Sequence, residues 1–165
     1  TFAWDEDEPN LGFVEQRTRL GFTADFTNEV STYFEFDYYN TWGTDFRSNY
    51  QTGADFFTGS ADVQLYQAYV EAREMYGHPL SLRIGRQELT FGSQWLVGTN
   101  SIGSFPTGLS FDAIRATYAT DMFSVDAFYS ILAENSPIEE DEDVTFAGIY
   151  ASYLGLEDIT IDAYW

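Results

Sequence analysis

The chain has 165 residues, enough for one core and seldom two, and combines 19% aromatic residues with a net charge of -20 from seven arginines, no lysine and 27 carboxylates. That acidity excludes a phosphate-binding role and with it a nucleic-acid partner, while the aromatic content excludes an acidic disordered chain. The absence of cysteine excludes a disulfide framework and a thiolate metal site, and no run approaches eighteen consecutive apolar residues, which excludes a helical membrane span and leaves β-folds.

The first alternating segment runs from Leu11 to Phe26. Val14, Leu20, Phe22, Ala24 and Phe26 share one parity, and Glu15, Arg17, Arg19 and Asp25 share the other. Successive strand side chains point to opposite faces, so the pattern predicts a strand with one apolar and one charged face. Past a short turn at Thr27 and Asn28 the pattern repeats, with Phe34, Phe36, Tyr38 and Trp42 against Tyr33, Glu35 and Asp37. Two such runs joined by a few turn residues predict a hairpin.

Between Gly43 and Asp62 the alternation gives way to Gly, Ser, Thr, Asn and Asp, which reads as a long loop. A third strand is expected over Val63–Met75, with Gln67, Glu71 and Arg73 on its polar side. After a break at Gly77, His78 and Pro79, a fourth strand sets Leu80, Leu82 and Ile84 against Ser81, Arg83, Gly85 and Gln87. A second long loop, Gly92 to Gly108, is expected to stand outside the membrane. The fifth strand, Leu109–Thr120, opposes Ile114, Ala116 and Tyr118 to Ala113, Arg115 and Thr117. A tight turn at Asp121 and Met122 leads to the sixth, with Asp126 on its polar side. An acidic connection, NSPIEEDED, precedes a seventh strand over Val144–Leu154, whose two faces are both fairly apolar and leave its orientation open. The eighth strand ends the chain with Asp162 on its polar side.

The fold class expected is all-β: an antiparallel up-and-down transmembrane β-barrel domain over residues 1–165, with about eight strands present. Connections alternate short and long, the rhythm of outer-membrane barrels with brief periplasmic turns and long external loops. The alternative is a soluble or small membrane barrel acting as a ligand-binding or structural protein, such as a carrier with an apolar interior. If the short turns are periplasmic, the first strand descends from outside and the eighth ends outside. A closed barrel of even strand number keeps both ends in the periplasm, so the chain is expected to be part of a larger barrel. The opening TFAWDEDEPN also lacks the basic start and apolar run of a signal peptide.

The segment IGRQELTFGSQWLVG, Ile84 to Gly98, followed by SFDAIRATY, Ser110 to Tyr118, resembles the alginate-export family of outer-membrane barrels. RTRLGFTADF in the first strand and QAYVEA in the third agree more weakly, and the Gly-Arg-Gln and Phe-Asp-x-x-Arg pieces are the specific ones. The resemblance implies a single-chain barrel of about eighteen strands, an outer-membrane lipid surround, and export of an acidic polysaccharide through an arginine-rich passage.

Alternation places Arg17, Arg19, Arg73, Arg83 and Arg115 on the inner wall with Glu15, Asp25, Glu35, Asp37, Glu71, Asp126 and Asp162, five positive charges against seven negative. Such a wall is mixed, so the expected solute is polar or anionic, and the arginines either contact it or satisfy the neighbouring acids. Arg86 breaks the parity of its strand and falls on the lipid side, as does Asp112 in the facing strand. Either the two pair at the rim of the bilayer or a bulge near Gly85 turns Arg86 inward. The acidic runs Asp5–Glu8 and Glu139–Asp143 lack the spacing of a calcium loop, and His78 stands alone in a turn. No metal, cofactor or catalytic activity is expected: Gly-x-Ser-x-Gly is missing and one turn histidine is a poor base.

Overall fold

A computed structural model describes residues 14–42, 63–99, 108–133 and 144–165. The loop expected from Gly43 to Asp62, the acidic connection before Val144 and both acidic runs lie outside the described residues, as do residues 100–107 of the second long loop. The eight strands are β1 (Glu15–Asp25), β2 (Val30–Thr41), β3 (Gln64–Ala72), β4 (Leu80–Gln87), β5 (Phe111–Ala119), β6 (Phe123–Ala133), β7 (Val144–Leu156) and β8 (Ile159–Tyr164). They form one up-and-down antiparallel sheet in chain order, open among the described residues. β3 stops at Ala72 instead of Met75, because Glu74 and Tyr76 take left-handed φ values of 51° and 59° and build a single 3-10 turn over Met75–Gly77. Two compact units divide the chain, one of Thr1–Arg19 with Asp37–Gln64 and one of Leu20–Phe36 with Leu65–Trp165.

In the second unit the registers fix which side chains share a face. Val70, Ile84, Ile114, Tyr129 and Ala147 are directly opposed across β3 to β7, and so are Ala72, Leu82, Ala116, Ala127 and Ile149. The alternate rows join Glu71, Arg83, Arg115, Phe128 and Gly148, and Ser81, Thr117, Asp126, Tyr150 and Tyr164. This settles the orientation of β7: Phe146, Gly148, Tyr150 and Ser152 lie on the polar face.

The two faces carry the reverse of a soluble protein's burial. In β6, Asp126, Phe128 and Ser130 are buried while Ala127, Tyr129 and Ile131 are exposed, and Ile84, Ile114, Ile149 and Ile161 are exposed along their strands. A sheet whose apolar face is bare and whose polar face is covered fits a bilayer on the apolar side. Tyr118 and Phe123, stacked 6.0 Å apart on the exposed face, mark the end of the sheet that carries the short turns. Strands of 9 to 13 residues in β1–β3 and β5–β7 suit the roughly 9–11 residues that a tilted strand needs to cross a bilayer.

Close approach of β3 and β4 depends on Gly85. Its φ is +126°, and a Cβ there would sit 2.3 Å from the Ala68 carbonyl oxygen and 2.9 Å from the Tyr69 Cα. Backbone cannot yield as a side chain does, so Gly85→Ala should cost about 3 kcal/mol. Gly77, at φ +73° with open space around it, should cost only about 1 kcal/mol when changed to Ala. Urea titration of the protein in detergent micelles, followed by tryptophan emission, should rank the two variants in that order.

Candidate functional site

The polar face is a set of charges held by neighbouring strands. In the first unit, Arg17 of β1 donates to Asp37 of β2 through Nε at 3.2 and 3.1 Å and through Nη2 at 2.7 Å, a forked pair with little exposure on either side. Tyr39 donates its hydroxyl to Glu15 in the same unit, and Arg19 lies exposed on β1.

In the second unit, buried Glu35 accepts from Gln67 Nε2 at 2.6 Å and from the Tyr33 hydroxyl at 3.2 Å, while Gln67 Oε1 accepts the Glu88 backbone N–H at 3.1 Å. Arg73 lies 3.9 Å from Asp25 and 3.7 Å from Glu71, and it donates to the Ser31 hydroxyl at 3.2 Å. Arg83 donates to Glu71 through Nε at 3.1 Å and Nη2 at 2.7 Å. Arg115 donates to Asp126 at 2.8 Å, and Asp126 also accepts from the Thr117 hydroxyl. Asp162 accepts from the Tyr150 and Ser152 hydroxyls at 2.7 and 2.8 Å. Buried carboxylates and half-buried guanidiniums are tolerated here because each has a hydrogen-bonded partner.

Arg83 and Arg115 each have a carboxylate partner and yet face one another. They are directly opposed across β4 and β5, an arrangement that like charges on a sheet normally avoid. Each is drawn to the far side, Arg83 toward Glu71 on β3 and Arg115 toward Asp126 on β6, and each also lies over an aromatic ring. The Arg83 guanidinium is 4.3 Å from the Tyr69 ring centre, and that of Arg115 is 5.0 Å from Phe91, both within cation–π range. Between them opens a cavity of about 170 Å³ lined by Glu71, Ser81, Arg83, Arg115 and Thr117. Two guanidiniums, one carboxylate and two hydroxyls give this part of the wall both donors and acceptors for a polar solute.

The long loop after β4 does not stand clear of the sheet along its whole length. Its first part, residues 88–99, turns back onto the polar face, where Leu89, Phe91 and Val97 are buried with Phe111, Ala113, Phe128 and Tyr150. Phe91 stacks on Phe128 and on Tyr150 with ring centres 5.2 Å apart in both pairs, and its carbonyl accepts the Tyr164 hydroxyl at 3.0 Å. The sequence reading of Gly92 to Gly108 as an external loop did not anticipate that Val97 would be buried against the wall beside Leu89 and Phe91. The available signal was the density of large apolar residues, Leu89, Phe91 and Val97, in a segment with no strand alternation.

Arg86 and Asp112 are directly opposed on the apolar face and pair through two bonds, Nε to Oδ1 at 2.9 Å and Nη2 to Oδ2 at 2.8 Å. The register of β4 with β3 and β5 runs on through Gly85 without a shift, so Arg86 is not turned inward by a bulge.

A family model described as alginate export matches residues 7–165. The chain belongs to the alginate-export family. No curated protein matches it. The polar wall of this family member is built from arginine–carboxylate pairs on adjacent strands, and the cavity between Arg83 and Arg115 opens on that wall.

Asp126 is the acid on which this arrangement depends most, since it is buried and serves both Arg115 and Thr117. Asp126→Ala leaves the Arg115 guanidinium without its carboxylate and should destabilise the protein by about 3 kcal/mol. Adding Arg115→Met to Asp126→Ala should recover part of the loss, which urea midpoints for the single and double variants would show.

Proposed function

We propose that the polar face lines a passive passage through the bacterial outer membrane for polar or anionic saccharides of the alginate class, with outer-membrane lipid against the apolar face. The observation that carries this reading is the inverted burial of the sheet, together with opposed arginines on the covered side. The bare isoleucine and tyrosine rows would be unstable in water and suit lipid. A soluble carrier would place those rows inside, around its ligand. The role is passage without chemical conversion, and selectivity comes from fixed charge along the wall.

A mixed wall has a further use in transport. Acids paired to most of the arginines keep a polyanion from binding too tightly to leave, and the Arg83–Arg115 cavity provides one point of attraction. The pair Arg86–Asp112 sits at the end of β4 and β5 away from the short turns, where a neutralised ion pair marks the outer rim of the lipid belt.

Neutralising Arg83 and Arg115 together to Gln should shift ion selectivity in planar bilayers toward cations. Reversal potentials identical to those of the unmodified protein would defeat the assignment of this cavity to the conducting path.

A further inference from the structure

The segment that folds back over the polar face is a closed turn with two sides. On the wall side, Phe91 is 1% exposed and Val97 4%, and Phe91 is fixed by the Phe128 and Tyr150 rings and the Tyr164 hydroxyl. The turn closes on itself through the Phe91 N–H to the Val97 carbonyl at 3.3 Å and the Gln94 N–H to the Phe91 carbonyl at 2.9 Å. Gln94, at φ 60°, folds its side chain over Gly98 and accepts the Thr99 N–H at 3.2 Å. On the other side, Trp95 is 83% exposed and Leu96 61%. The turn is fixed at these points and holds Trp95 and Leu96 as adjacent exposed apolar groups on its outer side.

We infer that Trp95 is a saccharide-stacking contact on the polar side of the sheet, with Leu96 widening its apolar platform. The inference rests on the reading of that side as a saccharide passage. A pyranose ring presents a face of C–H groups with slight positive character, and the indole face is the most electron-rich that a protein offers. Tryptophan also gives a large rigid contact area at low entropic cost. Lipid is disfavoured as the occupant because the turn is packed against the face opposite the exposed isoleucine rows. Stacking leaves the hydroxyls and carboxylates of a uronate sugar at the ring's rim, where they remain available to hydrogen-bonding groups.

The test uses a variant in which Trp4, Trp42 and Trp165 are changed to Phe, so that Trp95 alone emits, reconstituted in liposomes and titrated with trigalacturonate. A saturable change in emission is expected. In planar bilayers, Trp95→Ala should raise the half-blocking concentration of trigalacturonate about tenfold, while Trp95→Phe should stay within about threefold. Tyr76→Ala, which removes an exposed aromatic from a short turn at the opposite end of the sheet, should leave block unchanged. Emission that ignores trigalacturonate and is quenched by brominated lipid would overturn the inference in favour of a membrane contact. Emission that depends only on protein density in the liposome would overturn it in favour of a second copy. A protein that forms no channel would remove the transport reading, while the fluorescence titration would still decide whether Trp95 meets sugar.

Discussion

The constraint on which this molecule depends is that an alternating strand must find a different medium for each of its faces. In β6 the odd-numbered Ala127, Tyr129 and Ile131 are bare and the even-numbered Asp126, Phe128 and Ser130 are covered. The covered side holds most of the charges, and the Arg86–Asp112 pair lies on the other. A one-residue slip of any strand would turn carboxylates and guanidiniums toward the apolar face, so the hydrophobic pattern that suits a bilayer also sets the register of the polar wall.

Charge on that wall is local and paired. Arg17 with Asp37, Arg83 with Glu71 and Arg115 with Asp126 each span adjacent strands, and Glu35 and Asp162 accept from amide and hydroxyl donors. The opposed Arg83 and Arg115 stand out because like charges on a sheet normally avoid direct opposition. Their position is tolerated through acids on both outer sides and an aromatic ring beneath each guanidinium.

Phe91 ties the loop to the wall. By stacking on Phe128 and Tyr150 and carrying Arg115 over its ring, one side chain joins the turn after β4 to strands β5, β6 and β7. The loop therefore shares the stability of the sheet over its first residues, and the space in front of the wall is narrowed by a fixed element.

Sequence alone determined the strands, their order, the short and long ends and the parity of almost every charged residue, because period-two alternation is a local property that neighbouring residues carry among themselves. It placed Arg83, Arg115, Glu71 and Asp126 on one face and Arg86 and Asp112 on the other. Tertiary structure alone decided what alternation cannot express. β7 is apolar on both sides, so only its pairing with Asp126, Phe128 and Ser130 showed which residues face the polar side. The choice between a bulge and a continuous register at Gly85 depended on the backbone of β3, which is distant in sequence. The inward turn of residues 88–99 depended on rings contributed by β6 and β7, and no periodicity within the loop could announce partners that only the folded sheet brings within reach.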